Sequence, residues 1–517
     1  MRKILYLAVF ISGMVSLAAE MAASRLLGNY FGTSNLVWAS IIGLILIYLT
    51  FGYFLGGKWA DRSPHMSTFL SILAWAALSL AIVPIASRPI LKLSSQAFDQ
   101  LWMGDLIGSF VVVMILFIIP ITLLGTASPF AIRIAIQNAN QAGEISGRIY
   151  AISTLGSFFG TFLPSIILIP LIGTYLTFLV ISSVLLVFSL IALGLTVGWK
   201  LTLKYCWMLV IVIGLAIFGT RGTDKIANGM VLETESAYNY IQVLEQNGYY
   251  LLRLNEGQGI HSVFHPDQNN YYGPWEQVLV APFFNQPPIQ IDDINSMAIV
   301  GLAAGTSARQ AAIVYPNIAI DGFEIDPKIV DVAKEYFGMN LPQLSVIEQD
   351  GRWGLASSNK KYDIISIDAY RPPYIPWHLT TREFFQQVYD HMEKNGVMVI
   401  NVGRGIDDRR LIDSLGSTIL SVFPTVHVMD LPNSFNSILF ATVQPTDKSN
   451  LALNFKSLQN QPGMNPLLMD TMSITLQNLA ENPQPAQVFT DDLAPIEWLT
   501  NSLIVDFFLK GEVENLQ

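Results

Sequence analysis

Four acidic positions and one small-residue turn carry the chemistry this chain offers. They are Glu324, Asp326, Asp350 and Asp368, with the turn Gly301-Leu302-Ala303-Ala304-Gly305-Thr306 ahead of them. Each follows a short apolar run at a spacing that suits successive strands of one sheet. In parallel sheets flanked by helices, ligands sit outside the carboxyl ends of the strands, where these residues fall. A turn of small residues lets backbone approach a ligand, and an acid ending the second strand can take both hydroxyls of a ribose. The turn has glycine at 301 and 305 but lacks the spacing that cradles a pyrophosphate. The arrangement therefore points to a mononucleoside pocket.

The elements that must position these residues read as strand–helix alternation. Strands are expected at 297–302, 318–324, 344–347, 362–368 and 396–402, with helices from the turn to about 314, from Pro327, at 381–393 and at 407–421. Two closing strands are expected at 425–430 and 436–443. Ahead of them, 240–245, 250–254 and 261–264 read as a small antiparallel lead-in with turn residues Gly248 and Gly257.

The N-terminal part is of another kind. Hydrophobic residues make up 52% of the 517-residue chain and charged residues 13%, too apolar for an ordinary soluble protein. Residues 1–222 hold 12 Lys+Arg against 5 Asp+Glu, whereas residues 223–517 hold 17 against 34. A basic apolar half followed by an acidic mixed half reads as a membrane domain joined to a water-soluble one. The acidic half also excludes nucleic acid as a partner, because phosphates need a basic face. Seven spans are expected, near 4–27, 36–57, 67–87, 107–129, 149–170, 175–197 and 203–220, each about 20 residues long. Glycines four apart (Gly28/Gly32, Gly52/Gly56, Gly156/Gly160) would let helix backbones pack closely. Glu20 lies inside the first span, where it needs a base such as Arg25 or Arg133, or a polar cavity. The segment Gly56-Gly57-Lys58-Trp59-Ala60-Asp61-Arg62 resembles the loop motif of major-facilitator transporters. Basic residues favour the N-terminus inside, eight against five, and an odd span number would then put the soluble half outside. That side stays open, because 203–220 is the shortest span. The single cysteine, Cys206, permits no disulfide within the chain and no CxxC pair.

The expected organisation is a polytopic membrane domain at 1–222, a β-rich lead-in at 228–290, a Rossmann-like nucleoside-binding domain at 291–445 and a helical extension at 446–517. Such a chain is an integral, multi-pass protein of the cell (inner) membrane.

From about Glu235 to Val443 the sequence resembles the spermidine synthase (polyamine aminopropyltransferase) family, in particular its membrane-fused members. The segments that carry the resemblance are Leu254–Ser262, Gly273-Pro274-Trp275-Glu276-Gln277, Phe323-Glu324-Ile325-Asp326, Gln349-Asp350-Gly351, Ile367-Asp368-Ala369-Tyr370 and the tail Thr490–Glu497. It implies a class I methyltransferase/spermidine synthase fold and a transferase of polyamine biosynthesis. The co-substrate would be decarboxylated S-adenosylmethionine or S-adenosylmethionine, with no metal. Residue by residue, Gly301, Gly305, Glu324, Asp326, Asp350 and Gly351 would form the nucleoside pocket, Glu324 on the ribose and Asp350 on the adenine amine. Asp368 would be the general base. His261, Trp275, Glu276, Tyr370, Arg371, Tyr374 and His378 would meet the substrate or form the lid over it, stiffened by Pro372, Pro373 and Pro376.

The chain departs from that pattern at the amine end. Ala304 stands where the family has an aspartate for the aminopropyl ammonium, and Arg371 where it has a second aspartate past the base. Asn239 and His261 replace glutamines. A guanidinium stays charged at all accessible pH and repels a diamine, so Arg371 favours an acceptor bearing an anionic group. These residues are compatible with three functions. The first is a transferase alkylating a small amine or related acceptor, by aminopropyl or else methyl transfer. The second is a catalytically altered nucleoside sensor acting on the membrane half. The third is transport by the spans, with Glu20 meeting a cation. The lipid bilayer is an expected partner, and a homo-oligomer is allowed.

Overall fold

The structure is a computed structural model that describes residues 2–31, 35–98, 104–136, 141–219, 225, 227–255, 259–370, 375–405, 408–500 and 502. It divides into two compact units, one of Met1–Ile226 with Glu235–Tyr240, the other of Ala227–Thr234 with Ile241–Gln517.

The first unit is helical: α1 (Arg2–Phe31), α2 (Asn35–Arg62), α3 (Met66–Phe98), α4 (Gly104–Gly125), α5 (Ala127–Ala135), α6 (Ala142–Phe162), α7 (Ile169–Thr196), α8 (Trp199–Thr202) and α9 (Trp207–Phe218). Among the described residues five helical runs, not the expected seven, are long and apolar enough to cross a membrane: Arg2–Phe31, Val37–Arg62, Met66–Leu91, Gly108–Ala135 and Ala142–Thr196. The expected fifth and sixth spans belong to one run. That run passes through a π-helical turn at Leu163–Leu168 and leaves helical geometry at Gly173 (φ 76°, ψ 171°). The expected seventh span is only the 12-residue α9, about 18 Å at 1.5 Å per residue, against a hydrocarbon core of about 30 Å.

Close backbone approach holds this unit together. A Cβ added at Gly156 would lie 2.1 Å from the Phe10 carbonyl oxygen, and one at Gly160 2.0 Å from that of Met14. On α2, a Cβ at Gly52 would lie 2.4 Å from the Thr122 oxygen and one at Gly56 2.7 Å from the Thr126 Cα. Two of the expected glycine pairs thus sit where α1 meets α6 and where α2 meets α4 and α5. Gly32 of the third pair lies outside the described residues. Of the bases expected near Glu20, Arg25 donates to the carbonyls of Ser236 and Tyr238, and Arg133 pairs with Asp61 at 2.9 Å.

The second unit opens with a four-stranded sheet in the order β1 (Met230–Glu235), β2 (Tyr240–Gln246), β3 (Tyr249–Leu254), β4 (Ile260–Phe264). β1 adds a strand to the three expected. The larger sheet comprises β5 (Ser296–Val300), β6 (Ala319–Phe323), β7 (Leu344–Ile347), β8 (Tyr362–Ile367), β9 (Met392–Gly403), β10 (Thr425–Asp430) and β11 (Asn436–Thr442), in the order β10-β11-β9-β8-β5-β6-β7. The pairs from β7 across to β9 are parallel, and β11 and β10 close the edge antiparallel. Helices α10 (Thr306–Val314), α11 (Pro327–Tyr336), α12 (Gly351–Ala356), α13 (Arg382–Asp390), α14 (Arg410–Leu420), α15 (Ser449–Gln459) and α16 (Pro466–Gln477) cover it. Along β5 alternate residues enter separate cores, Met297 and Ile299 on one face, Ala298 and Val300 on the other. Both faces are therefore dry, which explains the nearly unbroken apolar runs. The helix expected at 381–393 ends at Asp390, because Met392 pairs with Tyr362 and begins β9 four residues earlier than expected.

Strand order reverses between β5 and β8, the topological switch point where such sheets leave a crevice.

Replacing Gly160 by alanine should destabilise the full chain by about 1–3 kcal/mol, because Met14 backbone must move. The same change at Gly57, with nothing within 4 Å of its Cβ, should be neutral. Thermal unfolding in detergent compares the two.

Candidate functional site

The turn after β5 has the backbone of a ligand cradle. Gly301 (φ 89°), Ala303 (φ 48°) and Gly305 (φ 74°) are left-handed. A Cβ at Gly301 would lie 2.6 Å from the Ala369 Cα, so only glycine lets the ends of β5 and β8 come this close. The N–H groups of Gly301 and Leu302 both donate to the Phe323 carbonyl, tying the turn to β6. Ser262 Oγ on β4 accepts from Ala304 N at 2.9 Å, and Thr306 Oγ1 exchanges hydrogen bonds with the backbone of Val263.

Glu324 follows β6 and is buried, 7% exposed. Its Oε2 accepts from Ala303 N at 2.9 Å and its Oε1 from Asp326 N at 3.1 Å. Burial pushes its pKa up to about 7, against the pull of these donors. Asp326 caps α11 by accepting from Lys328 N at 3.0 Å. Its carboxylate is thereby committed to a helix start.

Asp350 caps α12, with Oδ1 accepting from Trp353 N at 3.0 Å, while Oδ2 lies 3.2 Å from His378 Nε2. That contact, more than any other, holds the Asp350 carboxyl below its usual range. Gly351 is a packing glycine. A Cβ there would lie 2.4 Å from Val300 Cγ1, so helix α12 can begin against β5.

Asp368 directly follows β8, its N–H donating to the Val300 carbonyl at 2.9 Å. Desolvation raises its carboxyl to about 6, opposed by one hydrogen bond from Asn401 Nδ2 to Oδ1 at 3.1 Å. Asn401, at the end of β9, was not among the expected residues. Its only signal was a polar residue closing the apolar run Val397–Ile400. Its Oδ1 is buried with no hydrogen-bond partner among the described residues. Tyr370 braces the same corner, donating to the Asn401 carbonyl at 3.1 Å and accepting from Gly403 N at 2.8 Å.

The remaining expected residues divide. His261 on β4 has a buried Nε2 with no hydrogen-bond partner among the described residues and a pKa lowered by burial to about 4, so it is neutral at pH 7. Glu276 is 1% exposed and accepts from Tyr271 N, Gly273 N and Gln310 Nε2, which makes it the support of the 269–273 loop. Trp275 begins a 3-10 helix, its carbonyl accepting from Ser307 Oγ at 3.3 Å. Arg371 and Tyr374 lie outside the described residues. Among the described residues no group of three or more His, Cys, Asp or Glu is placed to hold a metal ion.

Comparison with known proteins gives consistent matches. Residues 297–450 match the family described as Spermine/spermidine synthase domain. A probable polyamine aminopropyl transferase from Bifidobacterium longum is 34% identical over 283 residues, covering 52% of this chain and 62% of that protein. A polyamine aminopropyltransferase from Vibrio vulnificus is 26% identical over 287 residues, covering 52% and 91%. The chain thus spans less than two thirds of the first relative's length. The crystal structure of a probable spermidine synthase from Corynebacterium glutamicum aligns with a TM-score of 0.40 at 18% identity, over 52% of this chain and 99% of that one.

Glu324 and Asp368 hold protons more tightly in the folded chain than in an unfolded one. Their contribution to stability is complete below the ordinary carboxylate range and is lost as pH rises through about 6 to 7. The thermal midpoint should therefore fall between pH 5 and 8. Glu324→Gln should flatten that fall, as calorimetric scans at each pH would show.

Proposed function

We propose, from the premise that this chain belongs through its soluble half to the spermidine synthase family, that it is a membrane-anchored transferase. It would bind an adenosyl-sulfonium nucleotide at the β5/β8 switch point and alkylate an amine-type acceptor. The supporting observation is the placement of Asp368. Its carboxyl is raised to about 6, is backed by Asn401, and follows a strand whose end touches the Gly301 turn.

In this reading Glu324, at the turn, takes the ribose hydroxyls, and Asp350 accepts from the adenine amine. The acceptor nitrogen attacks the carbon bound to sulfur, the carbon–sulfur bond breaks with its electron pair, and a neutral thioether leaves. Asp368 removes the proton that the new ammonium sheds. A base with pKa near 6 is mostly ionised at pH 7 and still close enough in basicity for efficient transfer. Asn401 holds one carboxylate oxygen, leaving the other for the amine. Neutral His261 adds no charge that would repel the cationic partners. Membrane anchoring in this reading is supported by the five runs, among the described residues, that are long and apolar enough to cross a bilayer.

A second reading has a specific observation behind it. Ala304 offers no acid to the donor's ammonium. Beside it Arg309, 8% exposed, spends its guanidinium on the carbonyls of Ala304 and Val263 and on Thr306 Oγ1. Desolvation lowers this cation to about 10. A cation against the turn favours a donor with a carboxylate, hence S-adenosylmethionine and methyl transfer.

Calorimetric titration of the full chain in detergent with both forms of the donor separates the readings. Tighter binding of the decarboxylated form supports aminopropyl transfer, and tighter binding of S-adenosylmethionine the second reading. Asp350→Ala should weaken either. Asp368→Asn should bind donor as before and lose turnover by about 10²–10⁴-fold. A fully active Asp368→Asn variant would remove Asp368 from the base role.

A further inference from the structure

The chain beyond the family-matched segment returns to the adenine end of the site. After α16 it runs along β10, with Ala480 N donating to the Val428 carbonyl at 2.8 Å. It then passes α14, where Phe489 N donates to Thr418 Oγ1 at 2.9 Å, and arrives at Asp491. There it meets Arg352, two residues past Asp350. Both Nη atoms of Arg352 reach the Asp491 carboxylate, at 2.8 and 2.7 Å. Arg352 Nη1 also donates to the His378 carbonyl at 2.9 Å, and Thr381 Oγ1 donates to Asp491 Oδ1 at 2.7 Å. The His378 ring returns to Asp350 Oδ2 at 3.2 Å. These contacts close a ring through Asp350, α12, Arg352, Asp491 and the 378–381 segment.

Isolated exposed ion pairs contribute little to stability, but a two-pronged arginine–carboxylate pair fixes geometry. Arg352 is 17% exposed and the Asp491 side chain 40%, so the pair is half shielded from water. What it fixes is the start of α12, and with it the carboxylate that caps that helix.

We infer that Asp491 is a positioning residue for nucleobase selection: through Arg352 and the His378 carbonyl it holds the Asp350 carboxylate in the orientation that accepts from the exocyclic amine of adenine. The inference deepens the proposed function and rests on its assignment of Asp350 to the base. The tail is then part of the site's specificity, acting at one remove. A hypoxanthine base presents a carbonyl oxygen in place of the amine, which a carboxylate repels. Preference for adenine over hypoxanthine therefore reads the orientation of Asp350, where overall affinity would not.

The test uses the full chain in detergent and measures dissociation constants for 5′-methylthioadenosine and 5′-methylthioinosine. The wild-type chain should prefer the adenine nucleoside on the order of tenfold or more, the worth of one charge-assisted hydrogen bond. Asp350→Ala should erase that preference. Asp491→Ala should remove most of it by weakening adenine binding while leaving inosine binding nearly unchanged. Adding Arg352→Ala to Asp491→Ala should lower the ratio no further, since the two act as one unit. An unchanged ratio in Asp491→Ala, with Asp350→Ala still erasing it, overturns this inference and leaves the proposed function standing. Equal weakening of both nucleosides in Asp491→Ala also overturns it, because that is the mark of a merely structural contact. A wild-type chain with no preference overturns the assignment of Asp350 and this inference together.

Discussion

Two parallel strands that were not consecutive in the chain must lie side by side, and their ends must nearly touch. β5 and β8 do so at the switch point of the sheet, where Gly301 comes against Ala369 so closely that a single Cβ would be 2.6 Å from its backbone. From that contact follow the left-handed turn, the tie from Gly301 and Leu302 to the Phe323 carbonyl, and the placement of Glu324 against Ala303. It also sets Asp368 beside the turn, with Asn401 arriving on the next strand over. A larger residue at 301 would separate the two strands and disperse the acids.

The acids share one end of the sheet but meet different surroundings. Burial dominates at Glu324 and Asp368 and raises both. A histidine partner and a helix start dominate at Asp350 and lower it. Asp326 is occupied with its own helix cap. Similar side chains thus become, by environment alone, two groups that titrate close to neutrality, a group that stays anionic, and a structural cap.

The helical unit solves another problem. Apolar surface does not by itself drive apolar helices together in a bilayer, so close packing must do it. Gly156 and Gly160 give α6 its seat on α1, and Gly52 and Gly56 give α2 its seat on α4 and α5. The same physics limits span counting from composition. α9 is apolar throughout yet has only 12 residues, and at Gly173 one continuous apolar run leaves helical geometry and divides into two helices.

Periodicity and composition by themselves determined the apolar N-terminal half, the strand–helix alternation of the other half, and the acids at the strand ends. Those are local properties, written in runs of neighbouring residues. The tertiary structure alone decided what depends on partners distant in sequence. Asn401 reaches Asp368 across 33 residues, and Arg352 reaches Asp491 across 139. Glu276, which a motif placed among the substrate residues, supports a loop because Gln310 and the backbone at 271 and 273 surround it. Met392 joined β9 because Tyr362 was there to pair with it, against its own helical neighbours. A side chain's type is set by the sequence, but its protonation and its task are set by what the fold packs against it.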